Sequence, residues 1–212
     1  MIINFLGDSI TAGAGASKPE LCFVERVGQI IGCKVNNYGV CGTRIAKQTK
    51  PSDEPIFDLD FNQRAKLMDS LADYVFVFGG TNDYGHGDAL LGDIDDCTEY
   101  SFCGALNCLI EYLVSIYGKE KICFILPLHR YNEESVYGEG FKQTACYKLS
   151  DYVECEKKIL KKYGLPYIDL QNEFPIPKTS SGDEVTVDGL HPNNKGHEII
   201  ANHVCEYVRN LK

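Results

Sequence analysis

The sequence predicts an α/β fold in which a parallel sheet of about five strands is covered by helices on both faces. Two observations support this prediction. Short apolar runs alternate with helical segments from end to end, and the runs are apolar throughout instead of alternating with polar residues. The length of 212 residues favours a single domain over residues 1–212. We therefore expect one three-layer α/β/α sandwich.

Five segments have the length and composition of buried strands. The clearest is Tyr74–Phe78, which is stopped by Gly79 and Gly80. The other four segments, in chain order, are Ile2–Leu6, Lys34–Tyr38, Lys121–Leu126 and Leu165–Leu170. Ligands of such sheets bind outside the carboxyl ends of the strands, so the residues that follow each strand are the first candidates for a site.

Segments between the strands carry apolar residues at helical spacing. Three of them are followed by a glycine, which is common directly after a helix: Glu20–Ile31, Tyr100–Tyr117 and Thr144–Tyr163. Two further helices are expected at Gln63–Leu71 and Asn193–Leu211. Polar stretches at Lys50–Pro55, 84–97, 129–143 and 171–190 are expected to be loops, and long loops in compact domains often carry function.

The charge balance excludes some partners. The chain has 21 Lys and Arg against 30 Asp and Glu, a net charge of −9. A net-acidic chain without a basic block is a poor candidate for binding nucleic acid or an anionic membrane. No apolar run approaches the roughly 18 residues of a membrane helix. The 84–97 loop alone carries four aspartates, which disfavours an anionic substrate: Asp88, Asp93, Asp95 and Asp96.

Ten cysteines are scattered along the chain, and none forms a C-x-x-C pair. The sequence begins directly with a strand-like run and shows no secretory signal. These observations predict free, mostly buried thiols in a cytoplasmic protein. A secreted protein whose signal peptide had been removed would begin in the same way. We expect packing roles for the neighbouring cysteines Cys97, Cys103 and Cys108.

The residues just past the predicted strand ends together supply the groups needed for one type of reaction. Gly7–Thr11 supplies a serine after the first strand, and Asn37–Thr43 supplies glycines after the second. Gly79–Asp83 supplies an asparagine after the third, and Asp188–Pro192 supplies an Asp-x-x-His pair before the last helix. A nucleophile, a base, an orienting carboxylate and donors for an oxyanion are the equipment for acyl transfer.

These four blocks resemble those of the SGNH (GDSL-type) hydrolase family, which is named for a Ser, Gly, Asn and His in four separate blocks. The matching segments are GDSI, NYGVCGT, GGTND and DGLHP, in the order of the family and spread over residues 7–192. Two departures are small: Ile10 stands where leucine is usual, and Cys41 where serine or alanine is common. The resemblance implies a flavodoxin-like sheet with strand order 2-1-3-4-5.

The resemblance also implies the roles of five residues. Ser9 would be the nucleophile, His191 the base that takes its proton, and Asp188 the carboxylate that orients His191. The backbone N–H groups of Ser9 and Gly42 and the side-chain amide of Asn82 would form the oxyanion hole. No metal and no organic cofactor is implied.

Several of these residues also have purely structural interpretations. Taken alone, Ser9 reads as a helix N-cap and Asn82 as a turn cap, and only the combination of blocks favours catalysis. Asp8 is expected to be a capping residue and Asp83 a structural anchor for a loop. On the closing helix, the histidines His197 and His203 are expected to fill the core or the surface. Cys41 has no base partner in the sequence and is not expected to be a nucleophile.

Three residues in the long loops are candidates for substrate binding because they follow predicted strand ends: His86, His129 and Arg130. Tyrosines in the same loops are candidates for an apolar or sugar-stacking wall: Tyr84, Tyr131 and Tyr137.

The chemistry thus predicted is hydrolysis of a carboxylic ester through an acyl-enzyme on Ser9. The polar loops and the lack of a large insertion favour a small acyl group, such as acetyl, on a polar or carbohydrate alcohol. Two alternatives keep the enzyme: an acylhydrolase of the lysophospholipase or thioesterase type on longer chains, and acyl transfer to an alcohol instead of water. A third, of another class, is a non-catalytic carbohydrate-binding module on a hydrolase scaffold.

Overall fold

A sheet of five parallel strands forms the centre of the protein, whose computed structural model describes residues 1–140, 142 and 146–211. The strand order is β2-β1-β3-β4-β5, and all neighbouring strands pair in parallel. The strands are β1 Ile2–Gly7, β2 Lys34–Gly39, β3 Tyr74–Phe78, β4 Ile122–Ile125 and β5 Tyr167–Ile168. The fold class and the strand order expected from the sequence are therefore confirmed.

Helices follow the strands throughout the described part of the chain. The α-helices are α1 Ser9–Ala12, α2 Phe23–Ile31, α3 Phe61–Ala65, α4 Thr81–Gly85, α5 Phe102–Tyr117, α6 Leu149–Tyr163 and α7 Asn194–Asn210. Short 3₁₀ turns lie at Pro19–Leu21, Pro55–Asp58 and Lys119–Lys121. None of the described helices combines the length and apolar character needed to cross a bilayer.

Strand β3 shows why the sequences of the buried strands are apolar throughout. Val75 and Val77 point into an apolar cluster that includes α5 and α6, whereas Phe76 and Phe78 point into a second cluster with α2 and α7. Successive side chains of a strand point to opposite faces, so both sets must be apolar when helices cover both faces. Each such side chain contributes about 1.5–3 kcal/mol through its burial.

Strand β2 differs from the others because it lies at the edge of the sheet. It pairs only with β1, and its side chains are partly exposed. Its polar residues find partners nevertheless: Asn36 donates to the side-chain oxygen of the buried Asn4 (2.9 Å), and Asn37 donates to the carbonyl of Thr11 (2.8 Å). The contact of Asn37 attaches the end of β2 to α1.

Several element boundaries differ from those predicted. The last strand is only two residues long, because β5 pairs with β4 only at Tyr167 and Ile168. Helix α2 begins at Phe23 instead of Glu20, since Pro19–Leu21 forms a 3₁₀ turn. Helix α3 spans Phe61–Ala65 instead of Gln63–Leu71.

Helix α6 begins at Leu149, where the Asp151 carboxylate accepts the backbone N–H of Lys148 at 2.8 Å. The predicted start at Thr144 lies outside the described residues. Two short helices have no counterpart in the sequence prediction: α1 directly follows β1, and α4 follows β3 after two glycines. Both begin at the carboxyl edge of the sheet, where the predicted site residues lie.

The expectation that all cysteines are free thiols is wrong for one pair. Cys103, in the first turn of α5, is joined to Cys155 of α6 by a disulfide across 52 residues of sequence. Helices α5 and α6 pack side by side, which brings the two Cα atoms to 6.6 Å, within the range that a disulfide spans. Cys22, Cys123 and Cys205 are free and buried as predicted, whereas Cys41 and Cys97 are free and exposed.

Candidate active site

The carboxyl end of β1 leads directly into Ser9. The preceding residue, Asp8, is buried and acts as the N-cap of α1, because its carboxylate accepts the backbone N–H of Ile10 at 2.9 Å. Burial raises the pKa of Asp8 to about 6, although the Ile10 hydrogen bond and the nearby His191 and Arg64 act against this rise. The capping role predicted for Asp8 is confirmed, and it leaves Ser9 as the first residue of the helix.

Ser9, His191 and Asp188 form a continuous chain of hydrogen bonds. The Ser9 hydroxyl oxygen lies 2.9 Å from Nε2 of His191, and Nδ1 of His191 lies 2.6 Å from Oδ2 of Asp188. The other carboxylate oxygen of Asp188 accepts the backbone N–H groups of His191 (2.7 Å) and Leu190 (3.0 Å). The i, i+3 spacing read from the sequence therefore does place both side chains on one face of a tight turn.

The ionisation of Asp188 suits an orienting role. Partial burial would raise its pKa, but the hydrogen bonds from the side chain and backbone of His191 outweigh burial and hold the pKa of Asp188 below its usual range. A carboxylate at this position accepts the proton on Nδ1 of His191 and leaves Nε2 free to accept the proton of Ser9. The three side chains are thus aligned for proton transfer from serine to histidine.

The turn that carries His191 is fixed on both sides. Asn193 caps α7, with its side-chain oxygen accepting the backbone N–H groups of Lys195 (2.9 Å) and Gly196 (3.2 Å). On the other side, the backbone N–H of Tyr131, in the loop after β4, donates to the carbonyl of Gly189 at 2.7 Å. Rigid support of this kind is what a side chain needs in order to keep a reactive geometry.

Gly42 lies in a loop, residues 40–46, that we call the Gly42 loop. Its φ is +74°, in the left-handed region that strongly favours glycine. A Cβ at this position would lie 2.8 Å from a ring carbon of Phe57, so any side chain would also collide with a neighbour. Two independent constraints therefore require glycine here, whatever its part in catalysis.

Asn82 and Asp83, on α4, both attach to the Gly42 loop. The side-chain amide of Asn82 donates one hydrogen to the carbonyl of Thr43 at 3.0 Å and has a second hydrogen available. The buried carboxylate of Asp83 accepts the backbone N–H groups of Ile45 (2.9 Å) and Ala46 (2.8 Å). Burial raises the pKa of Asp83 to about 6, opposed by these two hydrogen bonds. Asp83 is thus the loop anchor that the sequence predicted.

His86 lies at the end of α4, in the wall of a cleft of about 710 Å³ that begins beside Gly42. Its Nδ1 accepts a hydrogen bond from Nη1 of Arg44 at 2.9 Å. Burial, with some help from Arg44 and Arg130, lowers the pKa of His86 to about 4, so the ring is neutral at pH 7 and carries its proton on Nε2. Its part in substrate binding stays a prediction.

His129 and Arg130 follow β4, as predicted, and both are engaged with protein groups. Nδ1 of His129 lies 2.8 Å from the carboxylate of Glu133. The guanidinium of Arg130 is buried, donates to the carbonyl (3.0 Å) and hydroxyl (3.1 Å) of Thr81, and pairs with Glu139. Arg130 therefore supports the residue before Asn82, while its edge also lines a depression of about 390 Å³ next to Asp188.

The predicted tyrosine wall is only partly present. Tyr84 is 1% exposed and belongs to the core, where its single hydroxyl proton is shared between the carbonyls of Asn132 and Ser135 and holds the loop after β4. The expectation that Tyr84 faces the crevice is therefore wrong, because α4 turns its side chain inward. Tyr131 and Tyr137 are exposed and remain candidates.

The closing-helix histidine His197 has the structural role that the sequence predicted. It is fully buried and stacks on the ring of Phe23. Its Nδ1 accepts the backbone N–H of Phe23 (3.3 Å), and its Nε2 donates to the carbonyl of Ala14 (3.1 Å). Burial lowers the pKa of His197 to about 4. His197 therefore attaches α7 to α2 and to the segment after Ser9.

Two buried arginines beside the site are not evident from the sequence: Arg44 and Arg64. Arg44 spans the floor of the cleft between His86 and the carbonyl of Phe57, to which it donates at 2.6 Å. Arg64 lies under the Gly42 loop. Neither belongs to a motif, and an arginine in a polar segment is normally exposed to solvent.

Within the described residues, no group of three or more His, Cys, Asp and Glu is arranged to hold a metal ion.

The fold and the aligned side chains define a class of protein: a flavodoxin-like α/β protein with a Ser–His–Asp arrangement at the carboxyl edge of its sheet. A model of the GDSL-like lipase/acylhydrolase family matches residues 5–199. The chain belongs to that family. None of the functionally curated proteins matches the chain significantly.

Solved structures of several esterases and lipases share the fold. A carbohydrate acetylesterase from Sinorhizobium meliloti is 14% identical over 100% of this chain and 99% of its own, with a TM-score of 0.71. A lipase/acylhydrolase from Enterococcus faecalis is 21% identical over 99% and 95%, with a TM-score of 0.63. A two-domain esterase active on acetylated mannans is 22% identical over 100% of this chain and 50% of its own, with a TM-score of 0.63.

Proposed function

We propose that the protein is a carboxylic ester hydrolase that works through an acyl-enzyme on Ser9. The observation that carries this proposal is the hydrogen-bonded chain from the Ser9 hydroxyl through His191 to Asp188, with distances of 2.9 and 2.6 Å. A serine hydroxyl is a weak nucleophile at neutral pH, and a base at this distance activates it. Membership of an acylhydrolase family agrees with this chemistry.

The reaction proceeds in two steps. In the first, Nε2 of His191 takes the Ser9 proton as Oγ bonds to the ester carbonyl carbon, and the carbonyl oxygen becomes an oxyanion. His191 then gives that proton to the leaving alcohol as its bond to carbon breaks. In the second step a water molecule loses a proton to His191 as its oxygen bonds to the acyl carbon, and His191 then returns that proton to Oγ of Ser9 as the acyl–Oγ bond breaks and the acid is released.

The oxyanion is stabilised by three donors: the backbone N–H groups of Ser9 and Gly42, and the free amide hydrogen of Asn82. Support comes from the hydrogen bond of Asn82 to the carbonyl of Thr43, the residue that follows Gly42. Donors that are fixed before the reaction cost no reorganisation when the negative charge develops.

We further propose a small acyl group, such as acetyl, carried on a polar or carbohydrate alcohol. Polar side chains lie near the proposed site: the neutral donor His86 lines the cleft beside Gly42, and Tyr131 lines the depression beside Asp188. Two proteins of the same fold are described as a carbohydrate acetylesterase and as an esterase active on acetylated mannans. His86, His129 and Arg130 remain our candidates for contacts with the substrate.

One observation favours a second candidate. The cleft beside Gly42 measures about 710 Å³ and includes the side chains of Phe57 and Leu90. This volume exceeds the need of an acetyl group and suits an acylhydrolase of the lysophospholipase or thioesterase type, with a longer acyl chain along the cleft. Acyl transfer to an alcohol instead of water would use the same acyl-enzyme.

A series of 4-nitrophenyl esters from acetate to decanoate distinguishes the two candidates. We expect kcat/KM to be highest for acetate and to fall with chain length. A rise from acetate to decanoate would exclude the small-acyl proposal and favour the second candidate. Ser9→Ala serves as the control for the mechanism: full activity in this variant would exclude the acyl-enzyme, and added alcohols would reveal transfer as a new ester product.

A further inference from the structure

Arg64 is a buried cation whose guanidinium contacts the ends of two strands and the Gly42 loop. It lies on α3 and is 5% exposed. Its Nε donates to the carbonyl of Leu59 (3.1 Å), and its Nη1 donates to the carbonyls of Gly7 (3.0 Å) and Tyr38 (2.6 Å). Its Nη2 donates to the hydroxyl of Thr43 at 2.7 Å. All three guanidinium nitrogens of Arg64 therefore donate hydrogen bonds to other groups of the protein.

Two of these acceptors lie close in sequence to proposed oxyanion donors. Gly7 is the last residue of β1, two residues before Ser9. Thr43 directly follows Gly42, and its own hydroxyl donates to the carbonyl of Val40 at 2.7 Å. The planar, rigid guanidinium thus fixes the segment that contains Ser9 relative to the segment that contains Gly42.

The third proposed oxyanion donor belongs to the same network. The side-chain amide of Asn82 donates to the carbonyl of Thr43 at 3.0 Å, so the orientation of Asn82 depends on where Thr43 is held. Arg64 holds Thr43 through its hydroxyl. One side chain is therefore in contact, directly or through Thr43, with the supports of all three donors.

Arg64 stays protonated in this buried position. Burial lowers the pKa of Arg64 to about 10, while the nearby carboxylates of Asp8 and Asp60 act in the opposite direction. The guanidinium is thus cationic at neutral pH, and its hydrogen bonds are the stronger, charge-assisted kind. A neutral side chain of similar size would leave four carbonyl and hydroxyl acceptors without this donor.

We propose that Arg64 is a positioning residue for the oxyanion hole, which it assembles by holding the ends of β1 and β2 and Thr43 in one geometry. This inference rests on the acyl-enzyme function proposed above. Arg64 does not touch the substrate. Its loss should therefore weaken transition-state stabilisation, which requires accurate placement of the donors, much more than it weakens substrate binding.

The test compares Arg64→Met and Arg64→Lys with the wild type on the 4-nitrophenyl ester that is cleaved fastest. We measure kcat, KM and the inhibition constant of a short-chain trifluoromethyl ketone. In that inhibitor the Ser9 oxygen bonds to the carbonyl carbon, the serine proton moves to His191, and the carbonyl oxygen becomes an oxyanion. Its affinity therefore reports on the oxyanion hole directly.

For Arg64→Met we expect kcat to fall about 10–100-fold with KM within about 3-fold, since complete loss of one donor costs about 100–1,000-fold. The inhibition constant should rise by a similar factor. Arg64→Lys, which keeps the positive charge but not the planar guanidinium, should recover part of the kcat and part of the affinity for the ketone. A merely structural role would lower the fraction of folded enzyme and leave the inhibition constant of the folded part unchanged.

Arg26→Met is the matched control. Arg26 also donates to backbone carbonyls, those of Leu21 (3.0 Å) and Asn194 (3.5 Å), but it lies on α2 outside the site. This variant should keep the wild-type kcat and inhibition constant. Circular dichroism at the assay temperature establishes that each variant is folded.

If Arg64→Met does not fold, Thr43→Val replaces it, because it removes the hydroxyl that accepts from Arg64, together with its bond to Val40, while keeping the side-chain shape. Thr43→Ser, which keeps the hydroxyl, should then recover activity. Unchanged kcat and inhibition constant in the folded variant would overturn the proposal. Failure of the underlying function has a different signature: Ser9→Ala would retain activity, and the ketone would not inhibit the wild type.

Discussion

The hydroxyl oxygen of Ser9 lies 2.9 Å from Nε2 of His191, although 182 positions of sequence separate the two residues. The parallel sheet produces this contact, because the end of β1 and the start of α7 meet at its carboxyl edge. The distance already lies in the range required for proton transfer. Activity should therefore depend on the residues that maintain this alignment.

Asp188→Asn should lower kcat by about 100–10,000-fold with little change in KM. The amide of asparagine donates to Nδ1 of His191 instead of accepting from it, so the proton moves to Nε2 and the ring can no longer accept from Ser9. Steady-state kinetics test this expectation. Glu184→Gln is the matched control, since Glu184 lies in the same loop and its carboxylate pairs with the exposed Lys195. A kcat within about 3-fold of wild type in Asp188→Asn would contradict the orienting role.

Gly42→Ala should lower kcat at least about 10-fold, because the new Cβ would lie 2.8 Å from Phe57 and displace the backbone N–H. Gly32→Ala separates this effect from strain alone. Gly32 also has a positive φ, +69°, but a Cβ there would meet no atom of another part of the described structure within 4 Å, its adjacent residues and own helix backbone aside. Gly32→Ala should lose about 1–2 kcal/mol of folding stability and keep the wild-type kcat. Equal kcat values for the two variants would argue against Gly42 as an oxyanion donor.

The candidate site residues can be predicted from the sequence because each belongs to a short local motif. Ser9, Gly42, Asn82 and the Asp188–His191 pair each follow or precede a regular element, and parallel strands bring such residues to one edge. The buried faces of β3 are likewise evident as an apolar run. What is encoded within a few neighbouring residues can therefore be read correctly from the sequence.

Features that depend on distant packing are not predictable in this way. The sequence assigns Arg64 only to a short helix, because nothing in its local sequence reveals that the ends of β1 and β2 accept its hydrogen bonds. Cys103 and Cys155 meet only because α5 and α6 lie side by side. Tyr84 is expected in the crevice from its loop-like sequence, and the unpredicted α4 turns it into the core.

Stability should fall on acidification through His197. Its pKa is about 4 in the folded protein, whereas the unfolded chain takes up the proton near the ordinary value of 6.5. The contribution of the neutral ring is therefore complete above pH 6.5 and is lost as the pH falls towards 4. Urea unfolding at several pH values tests this prediction: the stability difference between wild type and His197→Gln should shrink from about pH 7.5 to about pH 4.5.

A stability difference between wild type and His197→Gln that stays constant over this range would contradict the assignment. Comparing variants in this way cancels the opposite contribution of the buried Asp8 and Asp83. Burial raises the pKa of both carboxyls to about 6, so their contribution to stability is largest in acid and declines as the pH rises through 6.

Cys103 and Cys155 should resist alkylation in the native protein until a reductant is added, whereas the exposed Cys41 should react at once. Peptide mapping after alkylation with and without reductant tests this. Removing the bond with the double variant Cys103→Ser/Cys155→Ser should lower stability by about 2–4 kcal/mol, because the closed loop of 52 residues no longer restricts the unfolded chain. Alkylation of both residues without reductant would contradict the disulfide.

In the proposed mechanism, Ser9 carries the acyl group during turnover. The most direct measurement is the mass of the protein quenched in acid during hydrolysis of a 4-nitrophenyl ester, followed by peptide mapping. We expect an acyl adduct on the peptide that contains Ser9, absent in Ser9→Ala and accumulating in any variant with slowed deacylation. Turnover of the ester by Ser9→Ala at the wild-type rate, or an adduct confined to another residue such as Cys41, would contradict it.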